Sequence, residues 1–221
     1  MNFKNKFHIY NKNAVVQKKV AFNLNNFINS NADSKINSAF EIGCGTGIFT
    51  RYFICSHRNT SLILNDFFNT EDYIKDIKYT DFIEGDIEEI NIPKSDIIVS
   101  SSVLQWIKNF EKLIKKIVNS CKIFSFSIYI KGNLIEINRH FNISLDYMEF
   151  DKIYAILKKY FKCVRCKKES IKKSFSSPLE ALRSLKNTGV TGFKRTDIKT
   201  IRSFKNTSLT YEVGYFYCSQ L

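Results

Sequence analysis

The turn that begins at Glu41 contains the residues whose types and spacing best suit ligand chemistry. Its sequence, EIGCGTG, has glycine at every second position after the glutamate: Gly43, Gly45 and Gly47. Glycine has no Cβ, so a ligand can approach the backbone closely in such a turn. The spacing differs from the GxGxxG of dinucleotide sites, and the Gly-Lys-Ser/Thr of phosphate loops is missing. The turn alone therefore predicts a ligand at the backbone without naming it.

Two acidic residues follow the turn at intervals of about twenty residues. Asp66 ends the apolar run that begins at Leu62, and Asp86 with Ile87 follows the next short run. Asp66 can accept both ribose hydroxyls of an adenosine, although an aspartate there also suits a helix N-cap. Asp86 can accept from an adenine amino group, while Ile87 offers a backbone N–H. The carboxyl ends of parallel strands meet at one edge of a sheet, so these features predict an adenosine-type ligand.

Short apolar runs and helical segments alternate through the first two thirds of the chain. This alternation predicts an α/β fold with a mostly parallel sheet. Spacing of apolar residues predicts helices over Tyr10–Asn26 and Asn109–Val118. The predicted strands are the runs Ala39–Ile42, Leu62–Leu64, Phe82–Ile83, Ile97–Val99 and Ile123–Ile130.

The last third changes character. Lys162–Phe175 is basic and alternates in hydrophobicity, which predicts a strand. Leu209–Cys218 also alternates and predicts a terminal strand, for which the antiparallel direction is one alternative. Ser177 followed by Pro178 predicts a helix start, with Glu180 completing a capping box and Gly189 ending the helix. No repeat or linker interrupts the sequence, so we expect a single domain.

Composition narrows the class of protein. The chain has 221 residues, of which 44% are hydrophobic and 25% charged, as in a folded domain. No apolar run is long enough to span a membrane, and the N-terminus is too polar for a secretory signal, so we expect a cytoplasmic protein. Cys163 and Cys166 form a CxxC without a second pair or a histidine cluster, and no metal site is predicted.

The positive charge lies mostly in the last third of the chain. Residues 1–150 contain 18 Lys or Arg and 16 Asp or Glu, a net charge of +2. Residues 151–221 contain 16 Lys or Arg and 5 Asp or Glu, a net charge of +11. Such asymmetry indicates a face that meets an acidic partner, with nucleic acid and an acidic carrier protein as the two alternatives.

The glycine turn with its two acidic residues resembles the class I S-adenosylmethionine-dependent methyltransferases, whose first motif is ExGxGxG. The resemblance implies a Rossmann-like fold: a mostly parallel seven-stranded sheet, helices on both faces and an antiparallel terminal strand. It also implies that the segment Asp96–Trp106 borders the methyl acceptor. The residues expected to bind S-adenosyl-L-methionine are Glu41, Gly43, Cys44, Gly45, Gly47, Asp66, Phe67, Asp86, Ile87, Ser101 and Ser102.

Further segments resemble the malonyl-acyl-carrier-protein O-methyltransferases of biotin biosynthesis. They are the Tyr…Ala-x-Val-Gln pattern from Tyr10 to Gln17, the Ser-x-x-Leu-Gln-Trp pattern ending at Trp106, the stretch Phe175–Gly192 and the LTYEV stretch Leu209–Val213. Two departures stand out. Ser120-Cys121-Lys122 replaces the usual Gly-Gly turn, and Lys131–Asp151 is shorter than in the family.

The resemblance implies methyl transfer to the free carboxylate of a malonyl thioester on acyl carrier protein. It implies a lid helix at about residues 8–29, a cofactor-binding half at about 30–130, and a half at about 131–221 that faces the substrate and the carrier. The acidic carrier protein would dock on the basic face of residues 151–221. The expected catalytic residues are Tyr10 and Gln17 on the lid, Gln105 and Trp106 beside the methyl group, and Arg139 or Arg183 for the carboxylate.

Three other functions stay open on the sequence. A small-molecule carboxylate methyltransferase of the aconitate type would share the cofactor site and the Leu-Gln-Trp segment. A nucleic-acid methyltransferase would explain the charge, but its Asn-Pro-Pro-Tyr or Pro-Cys signatures are missing. A non-catalytic protein that binds only the cofactor would fit the shortened acceptor region.

Overall fold

The computed structural model describes residues 7–32, 34–143, 146–188 and 197–220, which form one seven-stranded sheet flanked by helices. The strand order is β3-β2-β1-β4-β5-β7-β6, and β7 runs antiparallel to both of its neighbours while the other pairs are parallel. The predicted sheet, with its antiparallel terminal strand, is thereby confirmed. The strands are β1 Ser38–Ile42, β2 Ser61–Asp66, β3 Asp81–Glu84, β4 Ser95–Ser101, β5 Cys121–Tyr129, β6 Cys163–Ser174 and β7 Ser208–Ser219.

Helices cover both faces of the sheet, because the central strands are buried on both sides. One hydrophobic core joins the sheet to α2, α3 and α7, and a second core on the other face joins it to α4 and α6. The helices are α1 Phe7–Asn13, α2 Val15–Asn29, α3 Ile48–Ser56, α4 Phe110–Val118, α5 Ile135–Phe141, α6 Phe150–Lys158, α7 Pro178–Asn187 and α8 Ile198–Ser203. Among the described residues, no helix has the length and apolar character needed to cross a membrane.

The first helix differs from its prediction, because the chain bends at Ala14. The backbone of Ala14 leaves the helical region at ψ 46°, so the expected single helix is divided into α1 and α2. Ala14 is fully buried at the bend. As a result, Asn11 on α1 accepts a hydrogen bond from the hydroxyl of Thr46, in the glycine turn, at 2.5 Å. The bend thus holds α1 against the turn.

The start of α7 agrees with its prediction in part. The hydroxyl of Ser177 accepts a hydrogen bond from the backbone N–H of Glu180 at 3.2 Å, as expected of an N-cap. The carboxylate of Glu180 accepts from the backbone N–H of Ser176 at 2.7 Å, one residue before the position that a capping box would use. The expected end of this helix at Gly189 lies outside the described residues, as does the rest of the predicted stretch to Gly192.

Candidate active site

A cavity of about 710 Å³ lies at the carboxyl ends of β1, β2, β3 and β4 and beneath α1 and α2. This volume is in the range of small-molecule sites, and the location is the usual ligand position of an open parallel sheet. The residues that line it include most of those expected at the site: Tyr10, Gln17, Glu41, Gly43, Cys44, Gly45, Asp66, Phe67, Asp86, Ile87, Ser101, Ser102 and Trp106.

Four expected site residues do not line this cavity: Gly47, Gln105, Arg139 and Arg183. Gly47 packs away from it, because a Cβ there would lie 2.5 Å from the side chain of Ile77. The two arginines are exposed. The inward positions on α5 and α7 belong to apolar residues, Ile137 on the first helix and Ala181 with Leu185 on the second. The described structure therefore brings no arginine to the cavity.

The glycine turn has one crowded position and one open position. Gly43 has φ +71°, and a Cβ there would lie 2.4 Å from the side chain of Val103, so a larger residue would displace that side chain. Gly45 also has positive φ, at +53°, but a Cβ there would meet nothing within 4 Å. The open space at Gly45 is where a ligand can lie directly against the backbone.

Two neighbouring residues at the end of β2 hold this turn in place. The carboxylate of Asp66 accepts hydrogen bonds from the backbone N–H groups of Gly45 at 2.8 Å and Phe68 at 3.1 Å. The backbone carbonyl of Asn65 accepts from the N–H groups of Gly43 and Cys44, and its side chain donates to the carbonyls of Ile83 and Gly85. Asn65 thereby joins the ends of three strands. A carboxylate has about four acceptor positions, so Asp66 keeps some for a ligand.

Glu41 is an acidic side chain buried at the base of the cavity, with an exposed fraction of 1%. Burial raises the pKa of its carboxyl from 4.5 to about 8; the nearby Thr50 hydroxyl lowers the pKa, and the charge of Asp66 raises it. Its Oε2 has no hydrogen-bond partner among the described residues. A buried acid without a partner suits a ligand that brings a positive charge, because the pair would offset the desolvation of both groups.

The loop after β3 is held in place by two residues that the sequence reasoning missed. The ammonium group of Lys116, on α4, donates to the carbonyls of Ile87 at 3.2 Å and Glu88 and Ile90 at 2.9 Å. The carboxylate of Glu88 accepts from the backbone N–H groups of Lys108 and Asn109, just before α4. These bonds fix Asp86 and Ile87 at the cavity wall. In the sequence, Lys116 looks like any charge on an amphipathic helix, so no signal distinguished it.

Arg51 is a third residue that the sequence reasoning missed. Its guanidinium group donates to the carbonyl oxygen of Thr46 at 2.7 Å, to that of Tyr73 at 3.2 Å and to both carboxylate oxygens of Asp76. The bidentate pair with Asp76 orients the guanidinium plane, so the bond to Thr46 supports the end of the glycine turn.

The segment after β4 is strained where it meets the cavity. Ser102 has φ +60°, an unfavourable conformation for a residue with a Cβ. Its N–H donates to the carbonyl of Ser127 at 3.0 Å, and its carbonyl accepts from the side-chain amide of Gln105 at 2.6 Å. Gln105 thus holds Ser102 in place rather than lining the cavity itself. Trp106 follows in a short 3-10 helix and does line the cavity.

The cavity wall is acidic. Four carboxyl groups line it, from Glu41, Asp66, Asp86 and Glu88, and among the described lining residues Lys108 is the single lysine or arginine. Such a wall favours a ligand with net positive charge. Within the described ranges, no group of three or more His, Cys, Asp or Glu side chains is arranged to hold a metal ion.

Comparisons with known proteins agree with this geometry. Residues 40–123 match the family described as a methyltransferase domain. The chain is similar to a protein of Bacillus subtilis called YcgJ, with 11% identity, a TM-score of 0.66, and coverage of 89% of this chain and 97% of that one. It is also similar to the plantazolicin methyltransferase BpumL in complex with SAH, with 13% identity, a TM-score of 0.61, and coverage of 99% and 90%. At these identities the likeness shows the fold.

The sequence relatives are more specific. A malonyl-acyl-carrier-protein O-methyltransferase of Calditerrivibrio nitroreducens is 37% identical over 217 residues, which cover 95% of this chain and 87% of the relative. A protein of the same name from Bacteroides thetaiotaomicron is 33% identical over 192 residues, which cover 83% and 73%. With this identity over nearly its whole length, the chain belongs to the malonyl-acyl-carrier-protein O-methyltransferase family.

Proposed function

We propose that the protein transfers a methyl group from S-adenosylmethionine to the free carboxylate of a malonyl thioester on acyl carrier protein. The observation that carries the proposal is the acidic cavity with its open glycine turn, in a chain that belongs to this family. S-adenosylmethionine supplies an electrophilic methyl group on a positively charged sulfur.

The residues of the cavity fit this cofactor. The space beside Gly45 admits a ligand against the backbone, and Oε2 of Glu41 lacks a hydrogen-bond partner among the described residues. Asp66 would hold the ribose hydroxyls, and Asp86 with Ile87 would hold the adenine ring. Glu41 would face the positively charged end of the cofactor, where its proton is displaced at neutral pH.

The reaction requires little proton transfer by groups of the protein. A carboxyl group has a reference pKa of about 4, so it is already an ionised nucleophile at neutral pH and no general base is needed. The remaining tasks are to align the reacting atoms and to exclude water from two opposite charges that cancel. Alignment can supply up to about 7–11 kcal/mol of the barrier. Tyr10, Gln17 and Trp106 line the cavity and are suited to these tasks, with α1 acting as the lid.

The exposed cations of the last third would dock the acidic carrier. Strand β6 runs parallel to β5, because both are antiparallel to β7, so its carboxyl end reaches the edge of the sheet where the cavity lies. Lys172 is exposed at that end, and Arg183 and Arg202 are exposed on α7 and α8. Lys168 is partly engaged elsewhere, since its ammonium lies 4.4 Å from the ring centroid of Phe150. We propose Lys172, Arg183 and Arg202 as the carrier-docking cations.

Methyl transfer from labelled cofactor to purified malonyl-acyl carrier protein tests the proposed function. The wild-type protein should label the carrier, and Asp66→Ala should not, because it loses the bonds that hold Gly45. Free malonate and aconitate serve as alternative acceptors and should be labelled poorly. Carrier labelling no greater than that of Asp66→Ala would contradict the proposal, and efficient labelling of free aconitate would favour a small-molecule acceptor instead.

A further inference from the structure

A group of buried and half-buried polar side chains extends from Tyr10, which lines the cavity, into the protein beside it. This tyrosine–asparagine cluster consists of Tyr10, Tyr129, Asn133, Tyr147 and Tyr211. Burial raises the pKa of the Tyr129 hydroxyl, and the nearby hydroxyls of Tyr10, Tyr211 and Tyr147 raise it further. The Asn133 amide lies beside the Tyr147 hydroxyl. The rings of Tyr129 and Tyr211 have centroids 6.3 Å apart. The five residues come from α1, β5, the loops around α5 and β7.

Three polar atoms of this cluster are buried without a hydrogen-bond partner among the described residues. They are the hydroxyl of Tyr129 and both the oxygen and the nitrogen of the Asn133 side-chain amide. The two residues are 4% and 3% exposed. Buried polar atoms are nearly always paired, because leaving one unpaired costs about 1–3 kcal/mol. Several such atoms in one place indicate that a ligand completes their hydrogen bonds.

The cluster and the cavity share two residues at their boundary. Tyr10 lines the cavity and is also close to Tyr129. Ser102 lines the cavity too, and its hydroxyl lies near that of Tyr129 without meeting hydrogen-bond geometry. Ser102 thus lies between the cavity and the Tyr129 hydroxyl. A ligand group held at Tyr129 would therefore lie next to the part of the cavity formed by the end of β4.

The turn that carries Asn133 is tightly fixed. The N–H of Asn133 donates to the carbonyl of Ile130 at 3.0 Å, and the N–H of Leu134 donates to that of Thr210 at 2.7 Å. Leu134 has φ +53°, a costly conformation for a leucine, which these bonds maintain. The backbone of Asn133 is therefore fixed just beyond the end of β5, and its side chain is buried there.

We propose that Tyr129 and Asn133 form the subsite that binds the carboxylate of the methyl acceptor, with Tyr10 and Tyr147 completing its wall. This proposal rests on the proposed function. It assigns to Tyr129 and Asn133 the carboxylate-binding role for which the two exposed arginines, Arg139 and Arg183, were the candidates. The Tyr129 hydroxyl and the Asn133 amide nitrogen donate hydrogen bonds to the carboxylate. These neutral donors hold the anion through hydrogen bonds without placing a positive charge beside it.

The reaction at this subsite requires no proton from the protein. A lone pair of the carboxylate oxygen forms the bond to the methyl carbon, the bond from that carbon to sulfur breaks, and its electron pair stays on sulfur. Tyr129 keeps its proton throughout, because burial raises the pKa of its hydroxyl well above the ordinary value. The donors therefore hold the acceptor in line without competing for the methyl group.

Two variants test the subsite: Tyr129→Phe and Asn133→Ala. Each removes a donor to a charged group, so kcat/KM for malonyl-acyl carrier protein should fall about ten- to hundredfold, while the Kd for S-adenosylmethionine stays within about twofold of wild type. Stability supplies a second readout. Tyr129→Phe removes a hydroxyl that lacks a partner, so the free protein should unfold at the same or a higher temperature. A purely structural role predicts the opposite shift.

Tyr160→Phe is the matched control. Its hydroxyl donates to the carboxylate of Glu111 at 2.9 Å on the other face of the sheet, so losing it should lower the unfolding temperature slightly and leave kcat/KM unchanged. If the wild type labels the carrier and Tyr129→Phe and Asn133→Ala do so equally well, the subsite assignment is overturned and the proposed function stands. If the wild type labels no carrier, the proposed function is what fails, and the subsite assignment falls with it.

Discussion

The two sides of the sheet edge differ in how their polar groups are paired. On the proposed cofactor side, at the ends of β1 to β4, the side chains of Asn65 and Asp66 bond to backbone groups of neighbouring turns. On the proposed acceptor side, at the end of β5, the Tyr129 hydroxyl and the Asn133 side-chain amide lack hydrogen-bond partners among the described residues. Glu41 Oε2 is unpaired on the first side too, but there the side chains that hold the turns are bonded within the protein. This difference predicts that substitutions on the two sides separate cofactor binding from acceptor turnover.

Two glycine substitutions should separate cofactor binding from acceptor turnover with the largest effect. Gly45→Ala places a Cβ at φ +53° and into the open space of the cavity, so the Kd for S-adenosylmethionine should rise about hundredfold through backbone strain and lost close approach. Gly132→Ala, in the turn that carries Asn133, introduces a similar strain at φ +97°. It should spare that Kd and lower kcat/KM for the carrier. Calorimetric titration and initial rates measure the two effects, and equal losses of cofactor affinity would contradict the division.

Glu41 should make the cofactor side pH-dependent. Its pKa is about 8 in the folded protein against 4.5 ordinarily, so between these values the folded chain holds the proton more tightly than the unfolded chain. This contribution to stability is full below about pH 4.5 and is lost as the pH rises through about 8. Thermal unfolding should therefore show a smaller fall in Tm between about pH 6 and pH 9 for Glu41→Gln than for wild type.

The same acid should make cofactor binding stronger at higher pH. Deprotonated Glu41 pairs with the positive ligand, so wild-type affinity should increase about tenfold between about pH 6 and pH 9 and that of Glu41→Gln should not. Glu149→Gln is the control, because Glu149 is exposed and pairs with Lys131 away from the cavity. Parallel pH profiles for wild type and Glu41→Gln would show that Glu41 does not titrate in this range.

Salt should affect the acceptor side more than the cofactor side. We expect the KM for malonyl-acyl carrier protein to rise about fivefold between about 0.05 and 0.3 M salt, while the Kd for S-adenosylmethionine changes little. The double substitution Lys172→Glu with Arg183→Glu should raise that KM already at low salt. Lys75→Glu, at an exposed ion pair with Asp72, is the matched reversal and should have no such effect. An unchanged KM in the double variant would contradict docking at these residues.

Arg139→Ala should have the smallest effect. The sequence offers Arg139 as one of two alternative arginines for the acceptor carboxylate, but its side chain is exposed on α5. We expect kcat/KM to change by less than about threefold, as for Arg58→Ala on another exposed surface. Steady-state rates with the carrier measure both variants. If kcat/KM fell tenfold or more in Arg139→Ala and not in Arg58→Ala, Arg139 would be the residue that binds the carboxylate, and the assignment of Tyr129 and Asn133 would be contradicted.

Much of the cofactor side could be predicted because its signals are local. Each feature is a short motif after a buried strand, and strand order then follows from the fold class. The glycine turn and Asp66 could therefore be found from spacing alone. The residues that support these features could not be predicted from the sequence. Lys116 bonds to the carbonyl of Ile90, 26 positions away, and Arg51 bonds to that of Thr46, 5 positions away. In the sequence, each looks like an ordinary charged residue on a helix.

The acceptor side was harder to predict because its residues are distant in sequence. Tyr10, Tyr129 and Tyr211 lie on elements that only the folded sheet and lid bring together. The stretch 131–151 is shorter than in the family that the sequence resembles, yet it contains Asn133 and Tyr147 of the proposed subsite. The bend at Ala14 could not be predicted either, because alanine favours a helix and gives no signal for a break.

Strand β6 has a further consequence for the behaviour of the protein in solution. It is a twelve-residue edge strand, paired on one side with β7 and unpaired on the other among the described residues. Such an edge is a template on which other chains can assemble, and lysines along it prevent this by repulsion. Lys167 and Lys172 are exposed there. Lys172, which is proposed to attract the carrier, would thus also help Lys167 to keep molecules of the protein from adding to one another's sheets.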